Sequence, residues 1–175
     1  MRNVWFTADL HLDHRNIIRY CKRPFDNIQQ MNKILVDNWN NRVKKDDLVY
    51  FLGDFCFGDA RSWFPYLNGE IMLIKGNHDK SNLKFFNKVY RSYSMKIGDF
   101  NCVLNHRPIY PNDYPDPFND HDKSINPDGY DFVICGHVHE KWKVVGKSVN
   151  IGVDQWDFKP VLLEELIEFL NIKRG

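Results

Sequence analysis

The sequence contains no apolar run near the ~20 residues that a bilayer-spanning helix needs, so no membrane span is expected. Its four cysteines, Cys21, Cys56, Cys102 and Cys135, form no Cys-x-x-Cys pair. Three of them lie in or beside apolar runs, where a small buried thiol fits. That excludes a disulfide framework and points to a reducing compartment. An excess of charge of one sign is missing as well. Lys plus Arg number 24 against 23 Asp plus Glu, for a net of +1. Holding nucleic acid by bulk charge is therefore not expected, although a local nucleotide site is compatible with that balance. No repeat, low-complexity tract or linker interrupts the 175 residues, so one domain spanning 1–175 is expected. The opening Met1-Arg-Asn-Val-Trp-Phe6 enters a strand at once. The expectation is a cytoplasmic protein with no signal peptide.

What is present is a set of short apolar runs that end in the same way. Residues 4–8, 48–52, 71–74, 101–105 and 132–135 have the length and β-branched or aromatic content of buried strands. The first is followed by Asp9 and His11, the second by Asp54, the third by Asn77 and His78, the fourth by His106, and the last by His137 and His139. In extended backbone, residues i and i+2 point the same way, so His137 and His139 are expected to reach into one site.

Between these runs, Ile28, Met31, Leu35, Trp39 and Val43 recur at helical spacing and predict a helix over 26–43, with Asp26 as its N-cap and Gln29 completing a capping box. A short helix is expected over 83–89, a hairpin over 93–105 around Gly98-Asp99, and a second hairpin around Gly146-Lys147. A last helix is expected to begin with Pro160 at its first position. Residues 108–129 are rich in Pro, Asp and Asn and read as a long loop. Strands that alternate with helices, followed by antiparallel hairpins, give an α/β architecture, and ligands bind beyond the carboxyl ends of strands in such sheets.

Taken singly, each of these residues has an ordinary reading. Asp9 or Asp54 alone would be a cap or a turn former, Asn77 after Gly76 a turn residue, His106 a satisfied histidine at a strand end. Together they make a mixed oxygen and nitrogen donor set without thiolate, unlike a closed structural zinc site. They are too many for one ion. Two ions bridged by a carboxylate would use them naturally, as in two-metal phosphatases, nucleases and aminopeptidases.

Asp9-x-His11, Gly53-Asp54, Gly76-Asn77-His78-Asp79, His106 and Gly136-His137-x-His139 resemble, in order and placement, the five motif blocks of the calcineurin-like metallophosphoesterase superfamily. The stretches from His14 to Pro24 and from Asn150 to Pro160 resemble its small bacterial and phage members. The resemblance implies an αββα fold, a two-sheet sandwich flanked by helices. It implies that Asp9, His11 and His139 hold one divalent ion, that Asn77, His106 and His137 hold a second, and that Asp54 bridges them. Manganese is the leading choice, with iron, zinc, nickel or cobalt as alternatives. A metal-bridging hydroxide would attack phosphorus, and His78 would assist the leaving group as general acid or as a stabilising cation.

Where many members carry an Asp that orients this histidine, three residues past the bridging carboxylate, the chain has Phe57. That leaves open what orients His78, argues against a phosphoprotein substrate and favours a phosphodiester, such as a small or cyclic nucleotide, over a monoester. A phosphomonoesterase, or a metal-binding interaction scaffold of the same fold, is the alternative. Arg107 and Asn77 are candidate phosphate contacts. Tyr110, Tyr114 and Phe118 are candidates for stacking on a base; His14 reads either as a group behind a metal ligand or as a surface residue at a helix start, and His121 as a surface histidine.

Overall fold

The computed structural model describes residues 2–80, 83–111, 114 and 125–174. Four parallel strands, β1 (Val4–Thr7), β2 (Leu48–Phe51), β3 (Glu70–Ile74) and β4 (Lys88–Tyr90), make one sheet. The two-residue β10 (Val161–Leu162) adds to it antiparallel beside β1. The second sheet has the order β5 (Ser92–Ile97), β6 (Phe100–Asn105), β7 (Phe132–Cys135), β9 (Ser148–Asn150), β8 (Val144–Val145). Its three central strands are parallel, and a hairpin closes each edge. The structure is the expected α/β sandwich of two sheets flanked by helices.

Alternation along each strand explains the layering. In β1, Trp5 packs outward with Met31, Leu35 and Trp39 of α2 (Ile28–Arg42), whereas Phe6 packs inward against the second sheet. Val49, Phe51, Ile71 and Leu73 share the outward face; Leu52 and Ile74 meet Leu104, Ile134 and Val149 between the sheets. Both faces of the parallel strands are covered, so they read as continuous apolar runs. The 12-residue α3 (Leu163–Arg174) contacts β1 and β5, and its Leu166 and Leu170 enter the inter-sheet core. Fully burying a leucine such as Leu35 contributes about 1.5–3 kcal/mol.

Three local expectations are corrected and one helix is added. The cap of α2 is Asn27, whose side chain accepts from Gln30 N at 2.9 Å, while Gln30 Oε1 accepts from Asp26 N; the capping box lies one residue later than Asp26 and Gln29. Residues 83–89 form only a 3-10 turn, Leu83–Phe85, before Lys88–Tyr90 joins β3 as an edge strand. Pro160 precedes β10 rather than opening a helix, because β-branched Val161 pairs with Phe6. An additional helix, α1 (Arg15–Tyr20), follows the first motif.

Candidate metal centre

The loops leaving β1, β2, β6 and β7 are stitched together by main-chain bonds: Asp9 N to Gly53 O at 2.9 Å, His11 N to Asp54 O at 3.0 Å, and Gly136 N to His106 O at 3.0 Å. Turning so sharply off a strand demands left-handed backbone. Asp9, His11, Asp54, His137 and His139 have φ of 59°, 50°, 59°, 72° and 47°. Asp and His tolerate this region better than most side chains, yet each such residue still costs on the order of 1–3 kcal/mol. Glycine permits the close approach between loops. A Cβ on Gly136 would stand 2.6 Å from Asp9 Oδ2, and one on Gly53 would stand 2.6 Å from Gly76 Cα.

This geometry corrects the backbone expectation alone. His137 and His139 have positive φ rather than extended backbone, and their imidazoles enter the two adjacent donor groups. Asp9, His11 and His139 form one; Asp54, His106 and His137 form the other; within each group the donor atoms lie within 4.8 Å of one another. Asp54 stands between them, its Oδ2 3.4 Å from His11 Nε2 and 3.5 Å from His106 Nε2. Its other oxygen accepts from His78 N at 2.9 Å. Asn77 Oδ1 is 3.0 Å from His106 Nε2 and so joins the second group.

The donor atoms fit divalent cations. Ligands at about 2.0–2.2 Å from a shared ion stand roughly 3 Å apart, close to the 3.0–3.5 Å separations found here. Among the described residues, Asp9 Oδ1 is buried without a hydrogen-bond partner, and His11 Nε2 is buried without a bond of good geometry. Without a cation, protons must balance the buried carboxylates. Burial pushes the Asp9 carboxyl up to about 6, against the pull of His139 and His106. Burial also works against a charged His106, but contact with Asp54 overrides it and raises that imidazole to about 9. Bonds from His106 and His11 overcome the burial of Asp54 and hold its carboxyl far below the usual range. His11 itself is lowered to about 4, mainly by burial.

Groups behind the donors fix their orientation. His106 Nδ1–H donates to Leu52 O at 2.7 Å, which leaves Nε2 free to ligate. Asp79, the last residue of the third motif, is spent on the scaffold: its carboxylate accepts from Asp54 N, Phe55 N and Gly76 N at 2.8–3.0 Å. Two residues that were not singled out in the sequence brace the first group. Asp154 Oδ2 lies 3.4 Å from His139 Nδ1. Arg23 holds Asp154 through two 2.8 Å bonds and also donates to Leu10 O and Asp9 O at 2.9 and 2.7 Å. His139 and Arg23 lower the Asp154 carboxyl to about 2 despite its burial.

His14 is not a mere surface residue. Its Nδ1 is 3.3 Å from His11 Nδ1, and its ring stacks on Phe57 at 4.6 Å. His78, its side chain 42% exposed, lies 4.0 Å from Asp54 Oδ2, beyond hydrogen-bond distance. It lines a cleft of about 400 Å³ over His11 and His139. Arg107 is half-buried in the turn after β6 and does not line that cleft. Tyr110 and Tyr114 stack on each other at 5.3 Å, and Tyr110 also packs on Trp142. Phe118 and His121 lie outside the described residues.

The chain resembles proteins from distant sources along most of its length. An uncharacterized protein of Methanocaldococcus jannaschii is 36% identical over 183 residues, covering 98% of this chain and 93% of the relative. The gene 66 protein of Mycobacterium phage L5 is 24% identical, covering 98% and 95%. The crystal structure of a protein of unknown function from Aquifex aeolicus superposes with a TM-score of 0.71 at 25% identity, covering 97% of this chain and all of that one. Residues 3–152 match the calcineurin-like phosphoesterase superfamily domain, a span that takes in all five clusters of donor residues, and the chain belongs to that superfamily.

Proposed function

We propose that this chain is a dinuclear metal-dependent phosphoesterase that hydrolyses a phosphodiester. Asp9, His11 and His139 would hold one cation, Asn77, His106 and His137 the other, and Asp54 would bridge them. Manganese is the first choice among the metals that suit such donors, ahead of iron, zinc, nickel or cobalt. The observation that carries the proposal is the position of Asp54, one oxygen of which lies within 3.5 Å of a histidine from each group. When bound, the cations supply a nucleophilic hydroxide at neutral pH and neutralise charge on the phosphoryl oxygens.

The protein's own groups do the rest. His78 fixes Asp54 through its backbone N–H and lines the cleft, where its ring would stabilise charge on the leaving oxygen. Phe57 occupies the position at which a carboxylate would hold that ring, which supports charge stabilisation of a diester over protonation of a monoester leaving group. Lys75, Lys80 and Arg91 share a second cleft of about 510 Å³ with Asn77; their charge suits the non-bridging oxygens of the substrate. Arg107, next to His106 in sequence, lines neither cleft and is given no phosphate role. The partner is a small phosphate ester or nucleotide, and four buried free cysteines support a cytoplasmic setting.

The test is hydrolysis of bis-p-nitrophenyl and p-nitrophenyl phosphate after manganese loading. The diester should turn over faster. Asp54→Ala should lower the rate by at least about 10³-fold, the upper range for loss of one charge-stabilising group. Undiminished turnover in that variant would refute the proposal.

A further inference from the structure

Two large side chains stand exposed at the mouth of the metal centre: Tyr20 at 57% and Phe57 at 56%. Rings left in water at that density mark a binding surface more often than isolated apolar residues do. They are part of a continuous ridge. His14 sits 5.3 Å from the His11 ring, stacks on Phe57 at 4.6 Å and 14°, and meets Tyr20 edge-on at 6.3 Å and 77°. The Arg19 guanidinium lies over the Tyr20 ring at 5.5 Å. The ridge forms one wall of the cleft of about 400 Å³ floored by His11 and His139, a size suited to a small ligand. Lys141, paired with Glu140 at 2.8 Å, lines the same cleft and offers hydrogen bonds to a polar edge.

We propose that Phe57, His14 and Tyr20 form a subsite for the base of a nucleotide phosphodiester, its phosphate lying at the donor groups beside it. Every base has a flat face that stacks on aromatic rings whatever its sequence identity, and the charged pair at the rim fits a base edge better than an acyl chain. The proposal relies on the phosphoesterase reading for the position of the phosphate, but stacking itself does not require hydrolysis.

The test is isothermal titration of the manganese-loaded full chain with adenosine 5′-monophosphate and, separately, with ribose 5-phosphate, which lacks the base. The nucleotide should bind at least about tenfold tighter, the scale of one stacked base. Tyr20→Leu and Phe57→Leu, singly and together, should shrink that ratio towards one. Tyr66→Leu, an exposed aromatic 63% accessible and outside this cleft, should leave it intact. Equal affinity for the two ligands, no binding of either, or a ratio that survives both cleft substitutions would overturn the subsite. If the double variant does not fold, the single variants at these exposed positions carry the same comparison. Nucleotide preference without ester hydrolysis would sink the hydrolase reading and keep the subsite; hydrolysis without base preference would do the reverse.

Discussion

Asp9, His11 and His139 are braced by a buried ion pair, whereas Asp54, His106 and Asn77 are braced largely by main chain. In the first group, Arg23 grips the carbonyls of Asp9 and Leu10 and the carboxylate of Asp154, which reaches His139. The Arg23 and Asp154 side chains are 0% and 2% exposed. In the second, the Leu52 carbonyl orients His106, and Asp79 gathers three backbone N–H groups around Asp54. The difference teaches which group substitution can reach. A carboxylate behind a histidine raises its basicity and can be removed by mutation; a carbonyl does neither so readily.

The largest effect should come from Arg23→Met. Removing one partner of a buried pair leaves Asp154 charged and desolvated, at a cost of about 3–5 kcal/mol. The metal-free melting midpoint should fall by roughly 10 °C, measured by circular dichroism. A fall of only a degree or two would show that the pair braces nothing.

Asp154→Asn sharpens the contrast. It should weaken one of the two proposed manganese sites by about 10–100-fold in calorimetric titration and leave the other within about twofold, because the second group has no contact with Asp154 among those described. Equal weakening of both sites would erase the distinction.

The smallest effect is on pH dependence. In the metal-free fold His106 is raised from 6.5 to about 9 by Asp54. Its stabilising contribution is therefore fully present below pH 6.5 and is lost as pH rises through about 9. His139, raised well above 6.5 mainly by the Asp9 charge against its burial, acts with the same sign. The metal-free midpoint should drop by a few degrees from pH 6.5 to 9. The manganese-loaded protein should not follow, since ligation requires neutral imidazoles. Parallel curves would mean that these histidines are not where the protons sit.

The sequence made the strand ends legible because each buried run is bounded by a residue that cannot stay apolar: Asp9, Asp54, Asn77, His106 or His137. The strands and the flanking helix α2 followed from the same apolar patterns, whereas the strands' division into two sheets was implied by the family resemblance and not by periodicity. Other features were hidden for physical reasons. Asp26 and Asn27 are both good caps, and only the backbone entry angle selects Asn27. The apolar spacing from Leu83 to Val89 fits a helix, but pairing with β3 overrides it at 88–90. Arg23 and Asp154 are 131 residues apart, so no local spacing could join them. His137 and His139 have positive φ in place of the extended backbone that a strand would have continued.

Anomalous scattering from a crystal soaked in manganese tests the shared role of Asp54 most directly. Two peaks about 3.5–4 Å apart, one on each side of its carboxylate, are the predicted result. A single peak, or none beside Asp54, would contradict it.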